Sequence, residues 1–245
     1  MALLRVGAYI DGFNLYYGGK AACGAGTEGW RWLDIRKLVS SRLPTYWQKA
    51  EVARIVYCTA RVSGVDNSSA PMDQDRYLRA LELHNSVDLI EYGNFVVRIR
   101  TSPLAVWRSK NRRAEVVRSS WPVMVKDANR ADVPSARFVV SHMHREEKGS
   151  DVNLATHLLK DMMEERIDAA VVVSNDSDLK LPISLARTRI PIGILSPGTR
   201  RLAGNLTFKS TEGVGAHWHA GITDSDFRMH QLPESIGRIR RPADW

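Results

Sequence analysis

Cysteine is scarce in this sequence. Only Cys23 and Cys58 occur among 245 residues, too few for a disulfide framework or a structural zinc site. A reducing cytoplasmic setting is therefore expected, with Cys58 a buried strand residue. No apolar run approaches the roughly 20 residues that cross a bilayer. The N-terminal apolar run meets Asp11 too early for a secretory leader, so no membrane association is expected, and no internal repeat is present. Acidic residues are outnumbered, 27 against 35 Lys and Arg, which leaves a formal charge of +8. That balance favours an anionic partner, nucleic acid foremost. An apolar fraction of 44% is ample for one large or two small domains.

The pattern along the chain alternates strand and helix, as a three-layer α/β domain requires. Strands are expected over Leu4–Ile10, Val52–Ala60, Val87–Tyr92, Arg137–Ser141, Ala169–Val173 and Ile190–Leu195. A Gly-rich loop follows the first strand. Helices are expected over Ile35–Arg42 behind Asp34 as N-cap, over Asp73–His84, over Asp151–Arg166 behind Ser150 as N-cap, and over Asp178–Arg187. Residues 1–205 then form one domain with a central, mostly parallel sheet. A basic insertion of short strands occupies about 95–135, and 206–245 form a tail that packs on the domain.

Asp11 and Asp176 each sit just past an apolar strand, and Asp151 opens the best amphipathic helix. If the two strands are parallel neighbours, both carboxylates lie at the C-terminal sheet edge, where open α/β folds hold their sites. Three acids converging there suit a divalent cation. Two such ions about 4 Å apart can activate water and clamp a scissile phosphate. Asp11, Asp151 and Asp176 are the expected ligands of Mg²⁺ or Mn²⁺, and Asp178 is a fourth candidate. Asn14 is placed to bond a metal water or phosphate. Four of these have a structural alternative: a turn at Asp11-Gly12, helix-start preference at Asp151 and Asp178, and capping by Asn14; Asp176 after an all-apolar strand is the hardest to explain structurally.

Three segments resemble one family. Tyr9-Ile10-Asp11-Gly12-Phe13-Asn14-Leu15-Tyr16, Lys148-Gly149-Ser150-Asp151-Val152 and Ser174-Asn175-Asp176-Ser177-Asp178-Leu179 occur in the order seen in NYN-domain proteins, a branch of the PIN-like nucleases. The resemblance covers most of 4–205. It implies a PIN-like α/β/α fold and a metal-dependent ribonuclease leaving 5′-phosphate and 3′-hydroxyl ends, with single-stranded RNA as substrate. A non-catalytic RNA-binding or regulatory module on the same fold is the competing reading. His157 stands where many family members carry a further acid.

Arg98, Arg100, Arg108, Lys110, Arg112, Arg113 and Arg118 crowd the insertion, flanked by Trp107 and Trp121. Guanidinium groups grip phosphates and indoles stack on unpaired bases; the alternative is a solvated basic hairpin. Lys148 is a further candidate phosphate contact. Other signals are discounted. Gly24-Ala25-Gly26-Thr27-Glu28-Gly29 matches a dinucleotide fingerprint but does not follow a strand directly. His142-Met143-His144 and His217-Trp218-His219 lack further zinc ligands at recognisable spacing. Oligomeric state is left open.

Overall fold

The computed structural model describes residues 3–63, 68–108, 113–120 and 123–245. The chain divides into two units, Met1–Asn94 with Glu147–Trp245, and Phe95–Glu146. In chain order the elements begin with β1 (Leu4–Asp11), α1 (Gly12–Cys23), α2 (Ile35–Ser41), β2 (Ala50–Ala60), α3 (Ala70–Leu83) and β3 (Leu89–Pro103). There follow β4 (Ala105–Arg108), β5 (Arg113–Val116), β6 (Val139–Lys148), α4 (Ser150–Met163), β7 (Ala169–Val173), α5 (Lys180–Arg187) and β8 (Ile192–Pro197). The chain closes with β9 (Trp218–Ile222), α6 (Asp224–Met229), β10 (Ser235–Ile236) and β11 (Ile239–Arg240).

Seven strands form one sheet in the order β6-β3-β2-β1-β7-β8-β9. The pairings β3–β2, β2–β1, β1–β7, β7–β8 and β8–β9 are all parallel. The fold is thus the expected three-layer α/β/α arrangement. Strand order reverses direction between β1 and β7, and crossovers leave for opposite faces there. On one face Val6, Ala8 and Ile10 pack with Leu15, Leu38, Leu81 and Phe227. On the other, Tyr9, Val56 and Val172 pack with Leu154, Leu158 and Ile183. A strand buried on both faces needs a continuous apolar run, which is why β7 reads Ala-Ala-Val-Val-Val. Each large aliphatic side chain taken out of water there contributes about 1.5–3 kcal/mol.

Several elements depart from the sequence reading. The Gly-rich stretch after β1 is a twelve-residue helix, α1, not a loop. Its glycines serve close approach. A Cβ at Gly18 would lie 2.8 Å from the Pro197 carbonyl oxygen, and one at Gly19 would lie 2.8 Å from the Trp30 ring. The N-cap of α4 is Gly149, at φ 100°, and Ser150 is the first helical residue. α3 begins at Ala70 with Pro71 in its first turn, where a missing N–H costs nothing. Strand β9 and the capping box of Thr223 and Asp226 on α6 lie beyond residue 205. Their short apolar stretches carry little periodicity. Cys23 and Cys58 are free and buried. Among the described residues no helix is long and apolar enough to cross a membrane.

One buried polar cluster ties α4 to the sheet. Asp161 has no exposed surface and accepts from the Tyr9 hydroxyl at 3.0 Å and from Arg54 Nε at 2.7 Å. Burial, reinforced by the Asp161 charge, pushes the Tyr9 phenol well up. Asp161→Ala leaves the buried hydroxyl without its acceptor and Arg54 without its counter-ion. We expect a loss of about 3 kcal/mol in urea unfolding at unchanged m-value. A loss below about 1 kcal/mol would show that the pair does not anchor α4.

Candidate functional site

β1 and β7 run side by side with Ile10 opposite Val173, so the residues that follow, Asp11 and Ser174, meet at the sheet edge. The Ser174 hydroxyl donates to Asp11 Oδ2 at 2.9 Å, and the Asn14 amide donates to Asp11 Oδ1 at 2.9 Å. Asp11 is therefore the N-cap of α1. Asn14 Oδ1 accepts from the Asn175 amide at 3.0 Å, which stitches the two strand ends together. Asp176 accepts from the Asp178 amide at 2.9 Å and caps the 3-10 turn Ser177–Leu179.

Asp151 reaches the same edge from the first turn of α4. Glu147 holds that turn through Ser150, whose hydroxyl donates to Glu147 Oε2 at 2.7 Å. Gly93 makes room for the approach, because a Cβ there would lie 2.6 Å from the Lys148 carbonyl oxygen. Burial raises the Asp11 carboxyl above its ordinary range, with the charges of Asp176 and Glu147 adding to it. Burial, then repulsion from Asp11, Asp176, Glu147 and Asp178, lifts Asp151 to about 6. The structure thus gathers Asp11, Asn14, Asp151, Asp176 and Asp178. It adds Glu147, which the sequence reading missed because the residue ends a long strand with no pattern around it. His157 turns elsewhere, its Nε2 3.0 Å from Glu91 Oε1.

The basic residues are placed separately. Arg98 and Arg118 are exposed in the second unit, and Arg100 pairs with Glu146 there at 3.5 Å. Arg108 and Arg113 face each other across the β4–β5 hairpin, but their side chains, with Lys110, Arg112 and Trp121, lie outside the described residues. Lys148 is exposed at the end of β6. Gly24 closes α1 at φ 97°, so the glycine-rich segment follows a helix and does not form a dinucleotide cradle. His217 accepts from the Ile192 amide through Nδ1 at 2.9 Å, and its Nε2 lies 2.6 Å from the Glu212 carbonyl. Both ring nitrogens are engaged by backbone.

A second feature adjoins the same strand end, and no motif announces it. Gly12 lines a cavity of about 520 Å³ together with Tyr16, Trp30, Tyr57, Tyr77 and Trp245. Tyr57 shares its sheet face with Ile10, opposite the face of Tyr9. Asp11, two residues beyond Tyr9, continues the Tyr9 face. Trp245 packs on Trp32 and Tyr77 at ring-centroid distances of 6.1 and 5.9 Å. The aromatics come from α1, the segment between α1 and α2, β2, α3 and the chain end, so only the folded chain assembles them. A volume of this size suits a small planar ligand.

The carboxylates generate a pH dependence. Folding lifts Asp151 from 3.8 to about 6, so between those values the folded chain holds a proton that the unfolded chain has lost. Stability from this group is fully present below about pH 4 and falls as pH rises through 6. Asp151→Asn should therefore gain stability at pH 7, by about 1 kcal/mol after solvent screening of a half-buried group. That corresponds to about 3 °C in Tm. The gain should vanish below pH 4; an equal gain at both pH values would detach it from ionisation.

Comparison with known proteins bears on what such a site does. No family model matches the sequence. A solved structure of a protein of unknown function from Vibrio parahaemolyticus RIMD 2210633 is similar at a TM-score of 0.48 and 13% identity, over 92% of this chain and 96% of that one. The 6-hydroxy-3-succinoylpyridine 3-monooxygenase HspA of Pseudomonas putida (strain DSM 28022 / S16) is 30% identical over an alignment of 267 residues, 99% of this chain and 75% of that protein. That enzyme is an oxygenase, and the expectation of a nuclease or other hydrolase is corrected accordingly, as is that of a non-catalytic RNA module.

The expectation of Mg²⁺ or Mn²⁺ held by Asp11, Asp151 and Asp176 is corrected with it. Among the described residues no group of three or more His, Cys, Asp or Glu side chains is placed to hold a metal ion. The physical reason is visible in the bonding: Asp11 and Asp176 are turned onto backbone amides as caps, and Asp151 is set by the helix that carries it. At that identity and coverage, the chain belongs to the family of the monooxygenase HspA.

Proposed function

We propose that this chain is an oxidoreductase of the monooxygenase type, acting on a small planar aromatic ring held in the cavity beside Gly12. The observation that carries the reading is the 30% identity to 6-hydroxy-3-succinoylpyridine 3-monooxygenase across 99% of the chain. The cavity supports it. Tyr16, Trp30, Tyr57 and Trp245 line the space, and stacking on such rings contributes about 0.5–1.5 kcal/mol beyond the area it buries.

In a monooxygenation one atom of O₂ forms the new carbon–oxygen bond and the other leaves as water. Two electrons and two protons come from a reduced donor. The residues of this chain bind and orient the ring. Lys20, exposed among the lining residues, offers a cation to an acidic substituent on it.

The test is direct. Purified chain with 6-hydroxy-3-succinoylpyridine, reduced nicotinamide with and without added flavin, and ¹⁸O₂ should yield a product carrying one ¹⁸O atom. Trp245→Ala should raise KM about tenfold, the loss of one stacking wall. Absence of both oxygen uptake and labelled product under every donor would remove the reading.

A further inference from the structure

A second cavity, of about 720 Å³, lies between α3 and the β10–β11 hairpin. Arg76 and Arg79 line it from the helix, Arg238, Arg240 and Arg241 line it from the hairpin segment, and Asp75 is the one carboxylate in the lining. The local acids are already divided. Asp75 pairs with Arg79 at 2.9 Å and with Arg61 at 2.9 Å, and Asp73 pairs with Arg76 at 3.7 Å. Among the described residues no carboxylate pairs with Arg238, Arg240 or Arg241. The hairpin that carries them is nevertheless a defined object. Its turn is closed by Gly237 at φ 59°, Ser235 pairs with Arg240, and the Arg241 amide donates to the Glu234 carbonyl at 2.9 Å.

Arg238, Arg240 and Arg241 carry their charge beside Arg76 and Arg79 with no carboxylate of their own among the described residues, and an anion of matching size relieves the repulsion. Each guanidinium presents a planar fork that fits two phosphoryl oxygens. A diphosphate offers two phosphoryl groups, one to each wall of the groove. The groove also carries apolar surface, Met72 and Ile239, against which a ring attached to the phosphates can rest. We propose that this groove binds a diphosphate group, borne by a nucleotide or free as pyrophosphate. The proposal stands without the oxygenase reading, since it rests on residues that do not line the aromatic cavity.

Titration calorimetry on the full chain, with inorganic pyrophosphate, ADP, adenosine and inorganic phosphate, tests it. Pyrophosphate and ADP should each bind at one site, more tightly than phosphate, with adenosine silent. Tighter ADP than pyrophosphate identifies a nucleotide; the reverse identifies the free anion. Arg238→Ala and Arg240→Ala, both exposed and outside any packed core, should each weaken pyrophosphate binding about tenfold, with circular dichroism unchanged. Two results overturn the assignment: no saturable pyrophosphate binding, or binding unaffected by both substitutions. Oxygen incorporation into an aromatic substrate in the presence of any of these leaves the oxygenase reading in place, and its absence leaves the groove in place.

Discussion

The parallel pairing of β1 with β7 is the constraint on which the rest depends. It places Asp11 beside Ser174 at the point where the strand order reverses. The short bonds among Asp11, Asn14, Ser174 and Asn175 then lock α1 to that edge. Because α1 starts there, Gly18 and Gly19 can press the helix onto Pro197 and Trp30. Because α1 lies so close, its other side turns Tyr16 toward Trp30, with ring centroids 5.6 Å apart. The aromatic cavity is a consequence of helix capping at the strand end beside it.

The carboxylate cluster and the cavity divide the work of one sheet edge. Repulsion among Asp11, Asp151, Asp176 and Glu147 is a cost, visible in the raised carboxyls. Caps and hydroxyl donors offset part of it, and the macrodipole at the start of α4 favours Asp151 where it stands. An acidic ligand is repelled from that side of the edge. On the other side Lys20 and Arg31 line the cavity together with Asp73 and Asp244, and the Arg31 guanidinium lies 5.3 Å from the centroid of the Trp30 ring.

Much of the fold was legible. The all-apolar run at β7 and the helical spacing of Leu154 and Leu158 name their elements without help, since burial on two faces or one stripe leaves a distinct pattern. Gly18 and Gly19 misled because glycine marks either a loop or a close contact, and only the neighbour Pro197 decides which. Trp218–Ile222 was hidden because an edge strand in a five-residue stretch shows too little alternation to register. The candidate site was legible in position: three segments far apart in sequence do converge at one edge.

Its chemistry was not legible, and the reason lies in what carboxylates do. Asp after a strand, Asp at a helix start and Asp before a 3-10 turn satisfy backbone donors in any α/β protein. The same three residues, drawn together by topology, look from the sequence like a cation site. What separates the readings is the direction of the oxygens, and here one oxygen of Asp11 and one of Asp176 accept from amides while the other Asp11 oxygen accepts from the Ser174 hydroxyl. The aromatic cavity has the opposite character. Tyr16, Trp30, Tyr57, Tyr77 and Trp245 are spread over most of the chain with no motif linking them. A fold of this kind hosts many reactions, so the residues that distinguish one from another are those that periodicity cannot group.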